Sequence, residues 1–237
     1  MAFVTKRRIQ IVLAVLLVLA AVRLAVVLHQ RRSSQMSVGP AKREDAPLDP
    51  DYYVVPKKLH DYDLKSLHRD LAGRTVWVRE GYRFSYYDYD PQLHHVGREA
   101  GTLGPIESLQ VADAISSASP EAGQRQIMAV FSRQGKQYAF PVGAIKGNDV
   151  QIFADEILFL DDPHQMYKHW PAGVWDSISK HEVKTGMNEL QASFAIGMGV
   201  PKTSYDSSSR TVEYPNGGHP LVVTYRNGKA VQIANGN

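Results

Sequence analysis

Residues 9–28 read IQIVLAVLLVLAAVRLAVVL, an apolar run of 20 residues broken only by Gln10 and Arg23. An α-helix rises about 1.5 Å per residue, so a run of this length matches a hydrocarbon layer about 30 Å thick. The segment is therefore expected to be a transmembrane helix, and the rest of the chain must fold beside a bilayer. Arg23 lies near the C-terminal end, where a long side chain can carry its guanidinium to the headgroups and costs less than at the midplane. A cleaved signal peptide with its apolar core at 9–21 is the competing reading. A small-x-small cleavage site is poorly formed around Ala20-Ala21 and apolar residues continue past Arg23, which favours a retained signal-anchor.

Basic residues flank the run on both sides, Lys6, Arg7 and Arg8 before it and Arg31, Arg32, Lys42 and Arg43 after it. The positive-inside rule does not separate the two ends. A tail of residues 1–8 can hold no domain. The expected arrangement is thus a short cytoplasmic tail, a single pass through a bacterial inner membrane, and a body in the periplasm or outside the cell.

Charge supports that division. Through Pro50 there are eight Lys or Arg against Glu44, Asp45 and Asp49, a net +5; the whole chain carries +3, so the remainder carries −2. A nucleic-acid binder needs its positive charge on the folded body, where it can neutralise phosphates, and no nucleic-acid partner is expected. The chain has no cysteine, which excludes disulfides, thiolate metal sites, thiol catalysis and anchoring through a lipobox cysteine. A body of this length can bury a core without cross-links in either redox environment.

Residues 29–58 read as a linker, since RSSQMSVGPAKREDAPLDP mixes Pro, Gly, Ser and charge without apolar periodicity. A β-rich domain is expected over 59–162. Leu64, Leu67 and Leu71 recur at helical spacing behind Asp63, and Gly73 supplies a stop. Strands are expected at 75–79, around Tyr82 to Tyr86, and at 109–111, 126–132, 137–140, 150–153 and 157–160. Gln134-Gly135 and Gly147-Asn148-Asp149 supply turns. Five or six short strands over about 90 residues suggest a small antiparallel β-barrel or sandwich, with an SH3-like barrel as the specific expectation.

The segment Tyr86 to Pro91, SYYDYDP with its preceding serine, concentrates tyrosine. Tyr86, Tyr87 and Tyr89 are candidates for a contact surface, because tyrosine joins broad apolar area to a hydroxyl tip; equally, they are a strand end entering a polar loop.

Residues 163–237 form a helical connector and a last module. Asp161-Asp162-Pro163 opens a helical stretch through Met166, Tyr167 and Trp170 that Pro171 ends, and a second short helix carries Val174, Trp175 and Ile178. In GMNELQASFAIG, Asn188 can cap a helix and Gln191 can answer it in a capping box. Strand signals follow at 211–214, 221–225 and 230–233, with Asn216-Gly217 and Asn227-Gly228 as turns. A helix followed by a three-stranded meander is the pattern, and Tyr214 and Tyr225 on its strands are further contact candidates.

This segment, about 183–234, resembles the SmpA/OmlA (BamE-like) superfamily of envelope modules. The resemblance rests on Gly186-Met187 before the capped helix, Gly197 at its end, Pro201 just after, and the closing VVTYRNGKAVQI. It implies a β-lactamase-inhibitor-like α/β sandwich. Met198-Gly199-Val200 intervene between Gly197 and Pro201 where the family is shorter, and a cysteine-free chain cannot share the lipid anchor of the best-known members.

No motif forces catalysis. His181-Glu182 begins like a zinc-protease helix, but Thr185 stands where the second histidine belongs, and no G-x-S-x-G, phosphate loop or dinucleotide fingerprint is present. Asp161, Asp162, His164 and His169 are the best metal candidates, since carboxylate and imidazole gathered at a helix start can share an ion. Acidic residues there also suit the helix dipole. His94-His95 near Asp88 and Asp90 is a second such cluster. The expected protein is α+β overall: a membrane-anchored, non-enzymatic body, without cofactor, that meets a protein or cell-wall partner. A metal-dependent hydrolase and a purely architectural subunit of an envelope complex are the alternatives.

Overall fold

The computed structural model describes residues 23–26, 48–60, 63–118, 124–202 and 209–236. Of the expected span 9–28 only Arg23, Leu24, Ala25 and Val26 are described, as helix; the rest of that expectation and the tail 1–8 lie outside the described residues. Among the described residues no helix is long and apolar enough to cross a membrane. Pro50–Asn237 forms one compact unit of α+β type.

Helix α1 (Leu64–Leu71) begins where Asp63 accepts a hydrogen bond from the Ser66 backbone at 2.7 Å and Ser66 Oγ answers the Asp63 N–H at 3.4 Å. Those bonds satisfy two of the donors every helix start leaves open, and they hold the Asp63 carboxyl below the usual carboxylate range. Leu67 and Leu71 are fully buried.

Eight strands follow: β1 (Thr75–Val78), β2 (Phe84–Asp90), β3 (His95–Leu103), β4 (Ser108–Ala118), β5 (Arg125–Arg133), β6 (Lys136–Lys146), β7 (Asp149–Ile152) and β8 (Leu158–Phe159). They form one antiparallel sheet in the order β3-β2-β6-β5-β4-β1-β8, with β7 also paired to β6. β4 serves two neighbours along its length, pairing with β1 at residues 108–110 and with β5 from Val111 onward, past a register shift between Val111 and Asp113. The β5–β6 turn is Gln134-Gly135, both at positive φ (53° and 77°), the mirror-image geometry that matches strand twist.

The sheet is open, and this corrects the expectation of a closed SH3-like barrel. Its path ends at β3 and β8. The physical reason lies in those ends. β8 is two residues long, and β3 pairs with β2 through register shifts on both sides of Tyr87, so neither offers a straight ladder to the other. The apolar face is closed instead by α1, whose Leu67 and Leu71 share a core with Val76, Val111, Phe131 and Phe140.

Helices α2 (Ala154–Ile157), α3 (Pro163–Met166), α4 (Ala172–Ser179) and α5 (Glu189–Ile196) lead into the second sheet, β12-β11-β10-β9 in spatial order, from β9 (Val200–Pro201), β10 (Ser209–Tyr214), β11 (Leu221–Arg226) and β12 (Lys229–Asn235). The stretch expected to be helical to Trp170 stops at Met166 and turns. The α5 capping box forms as expected: the Gln191 N–H donates to Asn188 Oδ1 at 2.8 Å, and the Asn188 N–H to Gln191 Oε1 at 2.9 Å. Phe194 and Ile196 of α5 pack on Val212, Tyr214 and Val223. This second core also takes in Phe159 and, partly buried, Trp77 and Ile106 from the first sheet, so the two sheets share side chains across residue 163.

The end of the segment read as linker is held on the body. Pro50–Tyr53 forms a 3-10 turn, and Val54 packs on the second core. Asp51 accepts from His169 Nε2 at 2.6 Å, from Trp170 Nε1 at 2.7 Å and from Asn188 Nδ2 at 2.9 Å.

Candidate functional site

A groove of about 580 Å³ opens where the β3–β4 turn meets the end of α4. Ile106, Trp175 and Ile178 give it apolar walls; Arg83, His164 and His181 give it basic ones. Its volume lies in the range of small-ligand sites.

The β3–β4 turn is built under strain. Ile106 sits at φ +64°, a left-handed conformation that a β-branched residue adopts at a cost of about 1–3 kcal/mol. It is held by its N–H donating to Val78 O at 2.9 Å, by Val78 N–H donating to Glu107 O at 3.0 Å, and by its side chain joining the second core. Glu107 closes the turn by accepting from the Gly104 N–H at 3.0 Å, and its carboxylate is ion-paired with Arg133. His181, at φ +55°, is the second non-glycine residue of the groove in the left-handed region.

Most polar side chains here are already committed. The His181 ring nitrogen Nδ1 lies 3.0 Å from Ala195 O; a carbonyl only accepts, so Nδ1 carries the hydrogen and Nε2 is left without it in the neutral ring. His164 Nδ1 lies 3.0 Å from Asp162 Oδ1, and its ring stacks on Trp175 at 4.1 Å between centroids. Arg83 differs. Among the described residues it has no carboxylate partner, and its guanidinium lies along glycine backbone from three separate loops. A Cβ at Gly217 would stand 3.5 Å from Nη1, one at Gly197 3.7 Å from Nε, and one at Gly104 3.8 Å from Nη1. Gly197 is the C-cap of α5 and Gly217 belongs to the β10–β11 connection.

The metal candidates do not converge. Asp162 caps α3 by accepting from the His164 N–H at 2.9 Å, His169 turns away to Asp51, and Asp161 is exposed. Around the second cluster, Asp88 pairs with Lys136 at 2.6 Å, and His94 Nδ1 lies 3.5 Å from the Tyr89 hydroxyl. The hydrogen bond to Asp88 raises the Lys136 pKa. Among the described residues no group of three His, Asp or Glu is placed to hold a metal ion.

The five tyrosines proposed for contact are buried. Tyr86, Tyr87 and Tyr89 keep 9%, 6% and 8% exposure, and Tyr214 and Tyr225 keep 0% and 3%. The register shifts around Tyr87 turn these β2 rings into two cores, Tyr86 with Phe131 and Tyr87 with Met128. Tyr214 and Tyr225 share a hydroxyl–hydroxyl hydrogen bond of 2.7 Å. Burial pushes the Tyr214 phenol far up and that of Tyr225 to about 12. These rings build the interior, which corrects the expectation of an exposed aromatic surface.

A second feature is the outer edge of β12. At its start Ala230 donates to Met187 O and accepts from the Gly186 N–H, both at 2.8 Å. Further on, the Gly236 N–H donates to Pro220 O at 2.7 Å, which directs Gln232 and Ala234 toward β11 and the backbone groups of Ile233 and Asn235 away from it. Among the described residues nothing pairs with those outward groups.

Arg83 and Asp51 were both missed as placed residues in the sequence. Arg83 reads as one polar position in an alternating strand and Asp51 as part of a linker; only the fold brings their partners, some 20 to 140 residues away, to them. Comparison of the chain with protein families, with curated proteins and with solved structures gives no match.

Proposed function

We propose that this chain is a membrane-tethered, extracytoplasmic protein of non-enzymatic role that captures a protein partner by strand addition at β12, with residues 183–234 acting as a BamE-like module. The reading rests on one observation above the rest: an edge that already accepts extended backbone from its own chain at Ala230 leaves the outward groups of Ile233 and Asn235 open beyond it. Backbone hydrogen bonds from a partner strand would continue the pairing that Gly186 and Met187 begin, and main-chain pairing of this kind supplies affinity while alternate side chains supply specificity. Recognition is also favoured over catalysis by the groove, where the imidazoles are taken up by Asp162 and by the Ala195 carbonyl rather than by a hydroxyl.

The test places a photo-crosslinking residue at Ala234, which is exposed, in the full-length chain in its native membrane. A discrete adduct is expected, and it should disappear in Asn235→Pro, which removes one outward donor and leaves the β11 ladder intact. An adduct that persists in Asn235→Pro and Ile233→Pro, or none from any β12 position, rejects strand addition.

A further inference from the structure

The groove supplies a binding element that is separate from β12. Arginine is the side chain best matched to a planar anion, because its donors form a rigid fork that a carboxylate can meet with two parallel bonds. On a protein surface such a fork is either left to water or paired with Asp or Glu. In this chain Arg79 pairs with Glu80 at 3.1 Å and Arg133 with Glu107. Arg83 lines the groove with no such partner among the described residues. Three glycines border its guanidinium, where a Cβ would stand in ordinary van der Waals contact at 3.5 to 3.8 Å.

We propose that the groove is a site for a free carboxylate carried on an apolar body, such as the C-terminal residue of a peptide, with Arg83 as the recognising cation. The walls assign the rest of the ligand. Trp175 is half-buried, its ring stacks with that of His164, and it lines the same groove as Ile106 and Ile178. An apolar side chain of about one residue fits against them within 580 Å³. Thr102, Ser179 and His181 also line the groove; Ser179 Oγ donates to Asp176 O at 2.9 Å and the His181 ring to Ala195 O, which leaves both as acceptors suited to the N–H of a peptide bond. A phosphate is the weaker match. It brings up to two negative charges and no apolar surface, whereas the groove offers one uncommitted guanidinium and the Glu107 carboxylate, the latter neutralised by Arg133.

The site is independent of the edge-strand reading, since no residue of β12 lines it, and either can fail alone. The test uses the full-length chain labelled with fluorotryptophan, so that Trp77, Trp170 and Trp175 report separately by fluorine NMR. N-acetyl-phenylalanine is the probe, with N-acetyl-phenylalaninamide and inorganic phosphate as comparisons. The acid is expected to shift the Trp175 resonance saturably and to bind at least about tenfold more tightly than the amide, the discrimination expected from one charge-assisted pair. Arg83→Gln should weaken the acid by about tenfold or more, and Arg83→Lys should recover only part, because an ammonium lacks the fork. Both variants should keep the parent melting temperature, since Arg83 is exposed and anchors nothing. Equal binding of acid and amide overturns the proposal, as does an Arg83→Gln chain that binds within about twofold of the parent. Tighter binding of phosphate than of the acid, or no Trp175 response to the acid at all, overturns it too.

Discussion

Replacing Asp51 by alanine should loosen the whole unit, although Asp51 lies in a segment with the composition of a linker. Its carboxylate is 12% exposed and accepts from three side chains that belong to the α3–α4 region and to the cap of α5. Hydrogen bonds to a charged acceptor contribute about 1.5–3 kcal/mol each, and a buried donor left alone costs about 1–3 kcal/mol. The three do not add. His169 is 28% exposed and regains water, and Asn188 keeps its cap bond to Gln191 through the other amide atom. The indole N–H of Trp170, a residue 6% exposed, has no such escape. The net expectation is a loss of about 3 kcal/mol. For a unit of this size each kcal/mol moves Tm by about 2–4 °C, so thermal unfolding of the full-length chain should fall by about 6–12 °C. Asp51→Asn keeps one acceptor but turns an amide toward the Asn188 amide, and should fall about half as far. A Tm for Asp51→Ala within about 2 °C of the parent would refute the idea that this carboxylate ties the chain to the body.

Gly199→Ala should be more damaging than a surface glycine change, because a Cβ there would stand 2.3 Å from Val212 Cγ1 and 2.7 Å from the Tyr214 ring; urea unfolding should show a lower midpoint and an unfolding free energy reduced by about 1–3 kcal/mol, as for an overpacked core. Phe194→Ala, at a fully buried position under Trp170 and Tyr167, should cost about 3–5 kcal/mol by the same measurement. Alkali should unfold the chain in a defined window. The Tyr167 and Tyr225 phenols are pushed up to about 12 by burial, so the folded state holds these protons more tightly than the unfolded one. That stability is complete below the unfolded phenol value near 10 and is lost as pH rises through about 12. Phenolate absorbance should therefore lag behind that of free tyrosine and rise together with unfolding; titration of all twelve tyrosines with a single midpoint at about pH 10 in a chain that stays folded would contradict it.

Local rules made α1, the α5 cap and the Gln134-Gly135 and Asn227-Gly228 turns legible, since each depends on residues within one turn of chain. Strand β3 was not. HVGREAGTL carries two glycines and adjacent charges and has no period-two pattern, and it becomes a strand because β2 supplies a partner that tolerates register shifts. The Asn216-Gly217 turn was expected to be tight, yet Tyr214 pairs directly with Leu221, so Pro215 and the residues after Gly217 lengthen it into a short 3-10 connection. The tyrosines of β2 were misread for a related reason: their burial depends on which face the strand turns inward, and the register shifts decide that. Composition says tyrosine is suited to a surface; it does not say that a surface exists.

The groove illustrates what local reading must miss. Ile106 is a poor choice for left-handed backbone and is kept there by its bond to Val78, whereas His181 is of a residue type that enters this region more readily and has its ring held by Ala195. Natural sequences are locally consistent nearly everywhere, and places where a residue contradicts its own backbone are where the fold spends stability on something other than folding. The strained Ile106 lines the groove, and the same groove holds an arginine bordered by three glycines. Relaxing the strain tests whether they belong together. Ile106→Gly removes the left-handed penalty of about 1–3 kcal/mol but also deletes a side chain that packs on the second core and forms the apolar wall. If the turn is held for the sake of the groove, Ile106→Gly should leave stability within about 1 kcal/mol of the parent, the two effects offsetting, while N-acetyl-phenylalanine binding at Trp175 weakens severalfold. Strong destabilisation with unchanged binding would mean that Ile106 serves the core alone, and that its strained backbone says nothing about a ligand.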